Sequence, residues 1–269
     1  MVTFAKSRSA LSLSLLVAVS FLPAAQARVK TFLESKSAGF TVQWTEQDLS
    51  AGNAQGPVFA ASKLARAERL PRSAKTTVDR SFKLLSLVGP VLSYQDEQSL
   101  DWPGMVHPGV GDVRRYQAVD LRHPQKKALL SDYVAQQDIY TGLMANATVK
   151  KALRGHGQPR TLTDLINVLQ NLDVEQNDSE GNPARLLFNK DMLGQFAFTR
   201  LTAQGFEVAI SLYDQANNDI SPIKLNLPLP LKNPELSQWL KDAGAKKAGV
   251  LLDKIKVAED AETDFHFDP

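Results

Sequence analysis

Hydrophobic and polar positions alternate along several short stretches of this chain, which is the pattern of half-buried β-strands. Strands are predicted over residues 40–44, 82–88, 91–94, 115–121, 185–188, 195–201, 206–213 and 223–231. We expect Gly89-Pro90 to bend or bulge a strand in the centre of the sheet, and Gln204-Gly205 to form a hairpin turn. Residues 50–58 are mostly small and polar without alternation, so they predict a loop.

Apolar residues recur at helical spacing in the middle of the chain and again near its end. They predict helices over residues 129–143, 148–153, 162–172 and 246–257. Asn233-Pro234-Glu235 predicts the start of another helix, because a capping residue precedes a proline and an acid. Strands, then clustered helices, then strands again predict an α+β fold with a largely antiparallel sheet and helices packed on one face.

The start of the chain has the features of an export signal. Lys6 and Arg8 precede an uncharged apolar run, and Ala25-Gln26-Ala27 supplies the small residues that signal peptidase requires. We predict a signal peptide over residues 1–27, cleaved before Arg28, and an exported protein in the periplasm or the medium. The apolar run is shorter than the roughly 20 residues of a membrane span, and no later stretch approaches that length.

The rest of the chain divides into three predicted parts. They are an N-terminal strand with a basic connector over residues 28–80, the main α+β domain over residues 81–258, and a loose acidic tail over residues 259–269. Lys63 to Lys83 contains seven basic residues and two acidic ones. We favour a solvated connector there, and keep Arg66 and Arg69 as candidate anion-binding or partner-docking residues.

Composition excludes several classes of function. Lys6 and Arg8 are two of the 31 basic residues, so the 29 that remain balance the 29 acidic residues. A neutral chain argues against nucleic-acid binding, which relies on an excess of Lys and Arg. Cysteine is absent, so neither disulfides nor thiolate chemistry is available. The histidines show no metal-ligand spacing, and we expect no metal and no cofactor.

No catalytic motif is evident in the sequence. A Gly-x-Ser-x-Gly elbow is missing, and the Ser221 to Lys224 spacing contains a proline and lies in a predicted edge strand. A pair of carboxylates facing each other across a cleft cannot be recognised from sequence. We therefore name no catalytic residue, and leave open an enzyme that draws on dispersed carboxylates such as Asp101, Asp120 or Asp173.

A set of motifs from residue 82 to about residue 215 has a recognisable order. They are Phe82 to Tyr94, Gly104-Met-Val-His107-Pro108, Tyr116 to Leu121, Ala128 to Tyr133, Phe196-Ala-Phe198 and Gly205 to Ile210. This order resembles the extracytoplasmic domain of unknown function found in RsiV-like anti-sigma factors, which bind lysozyme. A similar domain precedes the catalytic part of some peptidoglycan deacetylases. The resemblance implies a domain that acts at the cell envelope, often by binding.

Aromatic residues beside a predicted loop are the preferred binding site. Tyr94, Trp102, His107 and Tyr116 are the candidates, because amphipathic rings suit contacts with proteins or glycans. An equally good interpretation is that Trp102 only caps the end of the sheet. Together with the resemblance, these residues indicate a soluble binding or accessory domain of the bacterial envelope without catalytic turnover. The expected partner is a lysozyme-like protein or peptidoglycan, and the alternative is a cell-wall hydrolase or deacetylase-type enzyme.

Overall fold

The computed structural model describes residues 29–67, 77–101, 113–177, 183–214, 223–258 and 260–267. Its strands are β1 (Thr31–Ser37), β2 (Phe40–Thr45), β3 (Leu49–Asn53), β4 (Gly56–Ala60), β5 (Thr77–Val88), β6 (Val91–Asp101), β7 (Val113–Asp120), β8 (Asp173–Asn177), β9 (Pro183–Leu187), β10 (Phe196–Thr202), β11 (Gly205–Asp214), β12 (Ile223–Leu229) and β13 (Thr263–Phe267). Its helices are α1 (Ala61–Ala67), α2 (Gln136–Ala145), α3 (Ala147–Ala152), α4 (Leu162–Leu169) and α5 (Pro234–Gly244). The predicted signal peptide lies outside the described residues.

The strands form three antiparallel sheets, which confirms the α+β fold class. The N-terminal sheet has the order β1-β2-β3-β4, and the central sheet has the order β13-β5-β6-β7. In the third sheet β11 pairs with β10, with β12 and, through its last residues, with β9, which in turn pairs with β8. The predicted hairpin joins β10 to β11, but its turn is Ala203-Gln204, one residue earlier than expected, because Thr202 pairs with Gly205. As predicted, β12 lies at an edge, pairing with β11 alone among the described strands.

Two predictions about the first half of the chain are wrong. Residues 50–58 form most of the β3–β4 hairpin instead of a loop, because Leu49 and Ala51 face the core and the ladder of β2 aligns them. Gly89-Pro90 is the turn of the long β5–β6 hairpin, not a bend within one strand, since Val88 pairs with Val91. Gly89 has φ +55°, which favours glycine at this tight turn.

The predictions for the end of the chain also need correction. Residues 246–257 are not a helix, because the backbone of Val250 pairs with Leu87 and the Gly249 N–H donates to the carbonyl of Lys36. Residues 263–267 of the expected loose tail form strand β13 on the edge of β5. The Phe265 ring packs edge-on against Phe82 at 5.8 Å, which explains why this acidic segment is ordered.

The three sheets and the helices stack as layers. The N-terminal sheet packs on one face of the central sheet, where Trp44 and Leu49 join Phe82 in one apolar cluster. The third sheet packs on the opposite face, where Ala197 and Ala209 allow a close approach. Its other face is covered by helices α2 to α5, which confirms the predicted packing of helices on one face. Within the described residues, no helix is long and apolar enough to cross a membrane.

Polar caps determine where three of the helices begin. The side chains of Asn146, Thr161 and Asn233 accept hydrogen bonds from the first turns of α3, α4 and α5. The Asn233 amide also donates to the carbonyl of Tyr133 at 3.2 Å. This bond fixes the start of α5 beside the chain that leaves the central sheet, and it shapes the cavities described next.

Candidate functional site

The structure does not gather the sequence-predicted residues into one site. Arg69, Trp102 and His107 lie outside the described residues. Tyr94 and Tyr116 lie on opposite faces of the central sheet, since Tyr94 pairs with Gln117 and not with Tyr116. Both tyrosines are in the core, 3% and 1% exposed, and burial raises the pKa of Tyr116. Arg66 is exposed in the last turn of α1.

Thr77 pairs with Asp101, and Gln98 pairs with Val113, so these strand ends lie at one end of the central sheet. The segment that carries Arg69 leads into Thr77, and the segment that carries Trp102 and His107 joins Asp101 to Val113. The proposal that these residues bind a partner therefore stays a prediction.

A different group of polar residues comes together where β7 ends. The carboxylate of Asp120 accepts a hydrogen bond from the Tyr133 hydroxyl at 2.9 Å. It also accepts from the backbone N–H of Arg122 at 3.0 Å, and from the guanidinium Nε and Nη2 of Arg122 at 3.0 and 2.6 Å. The turn that follows the strand places Arg122 two residues beyond Asp120, which is what lets both its backbone and its side chain reach back.

Arg122 is held in place by an aromatic ring as well. Its guanidinium lies 5.6 Å from the centre of the Trp239 ring, and Trp239 is half-buried on α5. The ring also packs against the turn at Gly89, where an added Cβ would lie only 2.2 Å from a ring carbon. The position of Arg122 is thus determined by a carboxylate at its side and a ring over its plane.

These contacts shift the pKa values of the network in a consistent way. Burial alone would raise the pKa of Asp120, but hydrogen bonds from Arg122 and Tyr133 hold it below its ordinary value. Burial and the Asp120 carboxylate raise the pKa of Tyr133, and Asp120 raises the pKa of Arg122. At neutral pH the network therefore contains a carboxylate, a neutral phenol and a guanidinium.

A cavity of about 240 Å³ opens beside this network. It is lined by Asp120, Arg122, His123, Lys126, Lys127, Ala128, Asp132 and Tyr133. We call it the basic cavity. Among the described residues, Lys126 and Lys127 have no ion-pair partner. Burial lowers the pKa of Lys127, and nearby Asp191 only partly compensates. The side chain of Lys127 lies against Gly194, where an added Cβ would come within 2.2 Å of its Cε.

A second cavity of about 330 Å³ adjoins the first, and Asp132 and Tyr133 line both. Its other lining residues are Ser131, Val134, Ala135, Asp138, Pro230, Lys232, Asn233 and Leu236. We call it the neutral cavity, because Lys232 and Asp138 form an ion pair at 2.6 Å and its remaining acid, Asp132, is shared with the basic cavity. The two cavities share the wall formed by Asp132 and Tyr133, and they lie between the end of β7 and the starts of α2 and α5.

Another depression, of about 510 Å³, lies on the outer face of the N-terminal sheet. It is lined by residues 39, 41, 43, 50–54 and 57, none of which is charged or aromatic. Its side chains are small, so they offer little area for a specific contact. The site around Tyr133 is therefore the better candidate.

The arrangement is suited to holding a ligand. Asp120 already accepts from two residues, so it is poorly placed to exchange protons with a substrate. Within the described part of the chain, no three Asp, Glu or His residues are grouped so that they could hold a metal ion. Sequence reasoning considered Asp120 but missed Arg122, Lys127 and Tyr133. The Asp-x-Arg pattern at the end of a predicted strand was the one available signal.

Comparisons with known proteins add no relative. No protein-family model, curated protein or solved structure matches this chain. The resemblance to the extracytoplasmic domain of RsiV-like anti-sigma factors therefore stays a prediction from the motifs.

Proposed function

We propose that this chain is an exported binding or accessory domain of the bacterial cell envelope, without catalytic turnover. Its recognition surface is the pair of cavities around Tyr133. The observation that carries the proposal is the network at Asp120, which uses a buried carboxylate to fix a partly exposed Arg122 at the mouth of a cavity. A cation fixed before the ligand arrives needs little ordering on binding.

The same network speaks against the enzyme alternative at this site. A general acid needs a carboxyl whose pKa is raised toward neutrality, as in carbohydrate-cleaving enzymes with two carboxylates. The pKa of Asp120 is instead lowered by its hydrogen bonds. Asp101 and Asp173 lie in β6 and β8, on other elements than the cavity lining.

The motifs from residue 82 onward support the choice of partner. The domain that they resemble acts at the envelope, and the predicted signal peptide would deliver this chain there. A lysozyme-like protein and peptidoglycan are accordingly the two partners to test first.

The test is calorimetry with the protein produced from the full-length sequence, titrated separately with lysozyme and with solubilised peptidoglycan fragments. We expect saturable binding of one of them. Arg122→Ala should weaken that binding about tenfold or more, because a charged hydrogen-bonding anchor is lost. Arg200→Ala is the matched control, since Arg200 is an exposed arginine that lines neither cavity.

Two results would overturn the proposal. One is the absence of heat with every ligand at both low and high salt. The other is the release of reducing ends or acetate from peptidoglycan by the protein, with loss of that activity in Asp120→Asn. The second result would establish the enzyme alternative.

A further inference from the structure

The chemistry of the two cavities indicates what kind of ligand fits them, and this inference rests on the function proposed above. The basic cavity is lined by three cations, Arg122, Lys126 and Lys127, and by two carboxylates, Asp120 and Asp132. Its formal charge is therefore +1 with His123 neutral. A site with one excess positive charge matches an anion that carries a single negative charge.

The two acids of this cavity are already engaged. Asp120 accepts from Arg122 and Tyr133, and Asp132 accepts from the backbone N–H of Leu129 at 2.9 Å. Neither Lys126 nor Lys127 forms an ion pair within the described residues. Two ammonium groups at one concave surface without a bound carboxylate are the electrostatic complement of an external anion.

Of the two lysines, Lys127 gives the stronger evidence for an anion site. Its stem lies against Gly194, where an added Cβ would come within 2.2 Å of the Lys127 Cε. Burial lowers its pKa, and nearby Asp191 offsets only part of this effect, so its charged form is still disfavoured without a further anion. An anion between Lys127 and Arg122 would relieve this cost.

The neutral cavity indicates what lies next to the anion. Apart from Asp132, which is already counted in the basic cavity, its only lining charges among the described residues are Lys232 and Asp138, which cancel, and Val134, Pro230 and Leu236 give it an apolar wall. The hydroxyl of Ser131, which lines this cavity, can pair with amides or sugar hydroxyls. An elongated ligand would thus place a charged end in one cavity and an uncharged, hydrogen-bonding part in the other.

We propose that the two cavities bind a chain that bears a single carboxylate beside a neutral amide or sugar portion, as in the peptide-substituted glycan of the cell wall. The carboxylate lies against Arg122, Lys126 and Lys127, and the neutral portion lies along Val134, Pro230 and Leu236. A phosphate monoester, with a charge near −2, exceeds the charge of the site.

The test compares two ligands that differ in one group. The probes are muramyl dipeptide, which has one free carboxylate, and the same compound with that carboxylate converted to an amide. Calorimetry of the full-length protein should show binding of the acid, and binding of the amide at least about tenfold weaker. The affinity for the acid should fall as salt is raised from 50 to 500 mM, because exposed charges are screened.

Substitutions in the basic cavity test whether the ligand binds there. The double substitution Lys126→Gln/Lys127→Gln should weaken binding of the acid about tenfold, yet leave the weak binding of the amide unchanged. Gly194→Ala should displace Lys127 without changing any charge, and should also weaken binding of the acid. Lys150→Gln is the control, because this exposed lysine on α3 lines neither cavity. Thermal melting of each variant verifies folding.

The outcomes separate this inference from the proposed function. Equal binding of acid and amide, or unchanged binding in the double variant, would overturn the carboxylate site and leave the binding domain standing. Tighter binding of glycerol phosphodiester oligomers than of the acid would assign the cavity to phosphate instead. If no ligand binds, and lysozyme does not bind either, the proposed function fails together with the inference.

Discussion

Two aspartate–arginine pairs on the central sheet use the same bonds in different surroundings. Asp96 accepts from Nε and Nη2 of Arg80 at 2.7 and 2.8 Å, and both side chains are at most 3% exposed. Asp120 binds Arg122 through the same two nitrogens, but this guanidinium is 44% exposed beside a cavity. Because the bonding is alike, access to solvent is what distinguishes the two pairs.

The enclosed pair connects parts of the fold. Arg80 Nη1 lies 3.5 Å from the carbonyl of Leu64, which joins α1 to the central sheet, and Arg115 adds a bond to Asp96 at 3.3 Å. The guanidinium of Arg80 also packs over the Phe82 ring. A buried ion pair of this kind is costly to break, yet it is weak evidence for net stabilisation or for a ligand. The exposed pair supports a binding site, because a ligand can reach the guanidinium of Arg122.

The largest expected effect comes from breaking the enclosed pair. Asp96→Ala should lower the free energy of unfolding by about 3–5 kcal/mol, because buried guanidinium groups lose their carboxylate. Urea denaturation gives this value directly. Glu97→Gln is the matched control, since Glu97 follows Asp96 on β6 and pairs with Arg114 of β7, but about a quarter of its side chain is exposed. A loss below 1 kcal/mol in Asp96→Ala would contradict the structural role of the pair.

A smaller stability change and a larger binding change are expected at the exposed pair. Asp120→Asn should lower the free energy of unfolding by only about 1–2 kcal/mol, because solvent replaces part of what Arg122 loses. The same variant should weaken ligand binding, since Arg122 is no longer held at the cavity. Asp253→Asn breaks an exposed pair with Lys254 and should change neither property. If Asp120→Asn matched Asp96→Ala in stability, the contrast between the pairs would be wrong.

The sequence was sufficient to predict strands whose apolar and polar residues alternate and helices that begin with a capping residue. The β10–β11 hairpin and the start of α5 at Asn233 follow from local patterns. Strand β3 could not be predicted in this way, because Ser50, Ala51 and Gly52 are small residues with no clear apolar alternation. They form a strand because they pair with β2. Strand β13 did alternate, with Phe265 and Phe267 on one face, but the acidic composition around it favoured a tail.

The candidate site was less predictable than the fold. Asp120 and Arg122 are two residues apart, and their pairing could be suspected from the end of β7. The contributions of Tyr133, Gly194 and Trp239 depend on how loops and α5 pack, and no spacing in the sequence encodes them. The aromatic residues chosen from sequence illustrate the opposite error, since Tyr94 and Tyr116 have an amphipathic chemistry but serve as core.

The smallest expected effect concerns the pH dependence of stability, because the pKa values of two acids of the central sheet are shifted in opposite directions. Burial, with repulsion from Asp79 and Glu97, raises the pKa of Asp264, whereas the pKa of Asp120 is lowered. Asp120 therefore contributes stability above its ordinary pKa that is lost as pH falls through its folded value. Asp264 does the reverse, because its ionisation above its raised pKa destabilises the folded state, and stability returns as pH falls toward its ordinary pKa.

Asp264→Asn should accordingly raise the free energy of unfolding at pH 7, by less than about 0.5 kcal/mol because the residue is exposed. The gain should vanish near pH 3, where the native carboxyl is already protonated. Asp120→Asn should instead be destabilising at pH 7 and lose that effect at low pH. Urea denaturation of both variants at pH 7 and pH 3 measures whether each substitution raises or lowers the free energy of unfolding. If both substitutions changed stability in the same direction at pH 7, hydrogen bonding at β7 and carboxylate repulsion at β13 would not be what shifts the pKa values of Asp120 and Asp264.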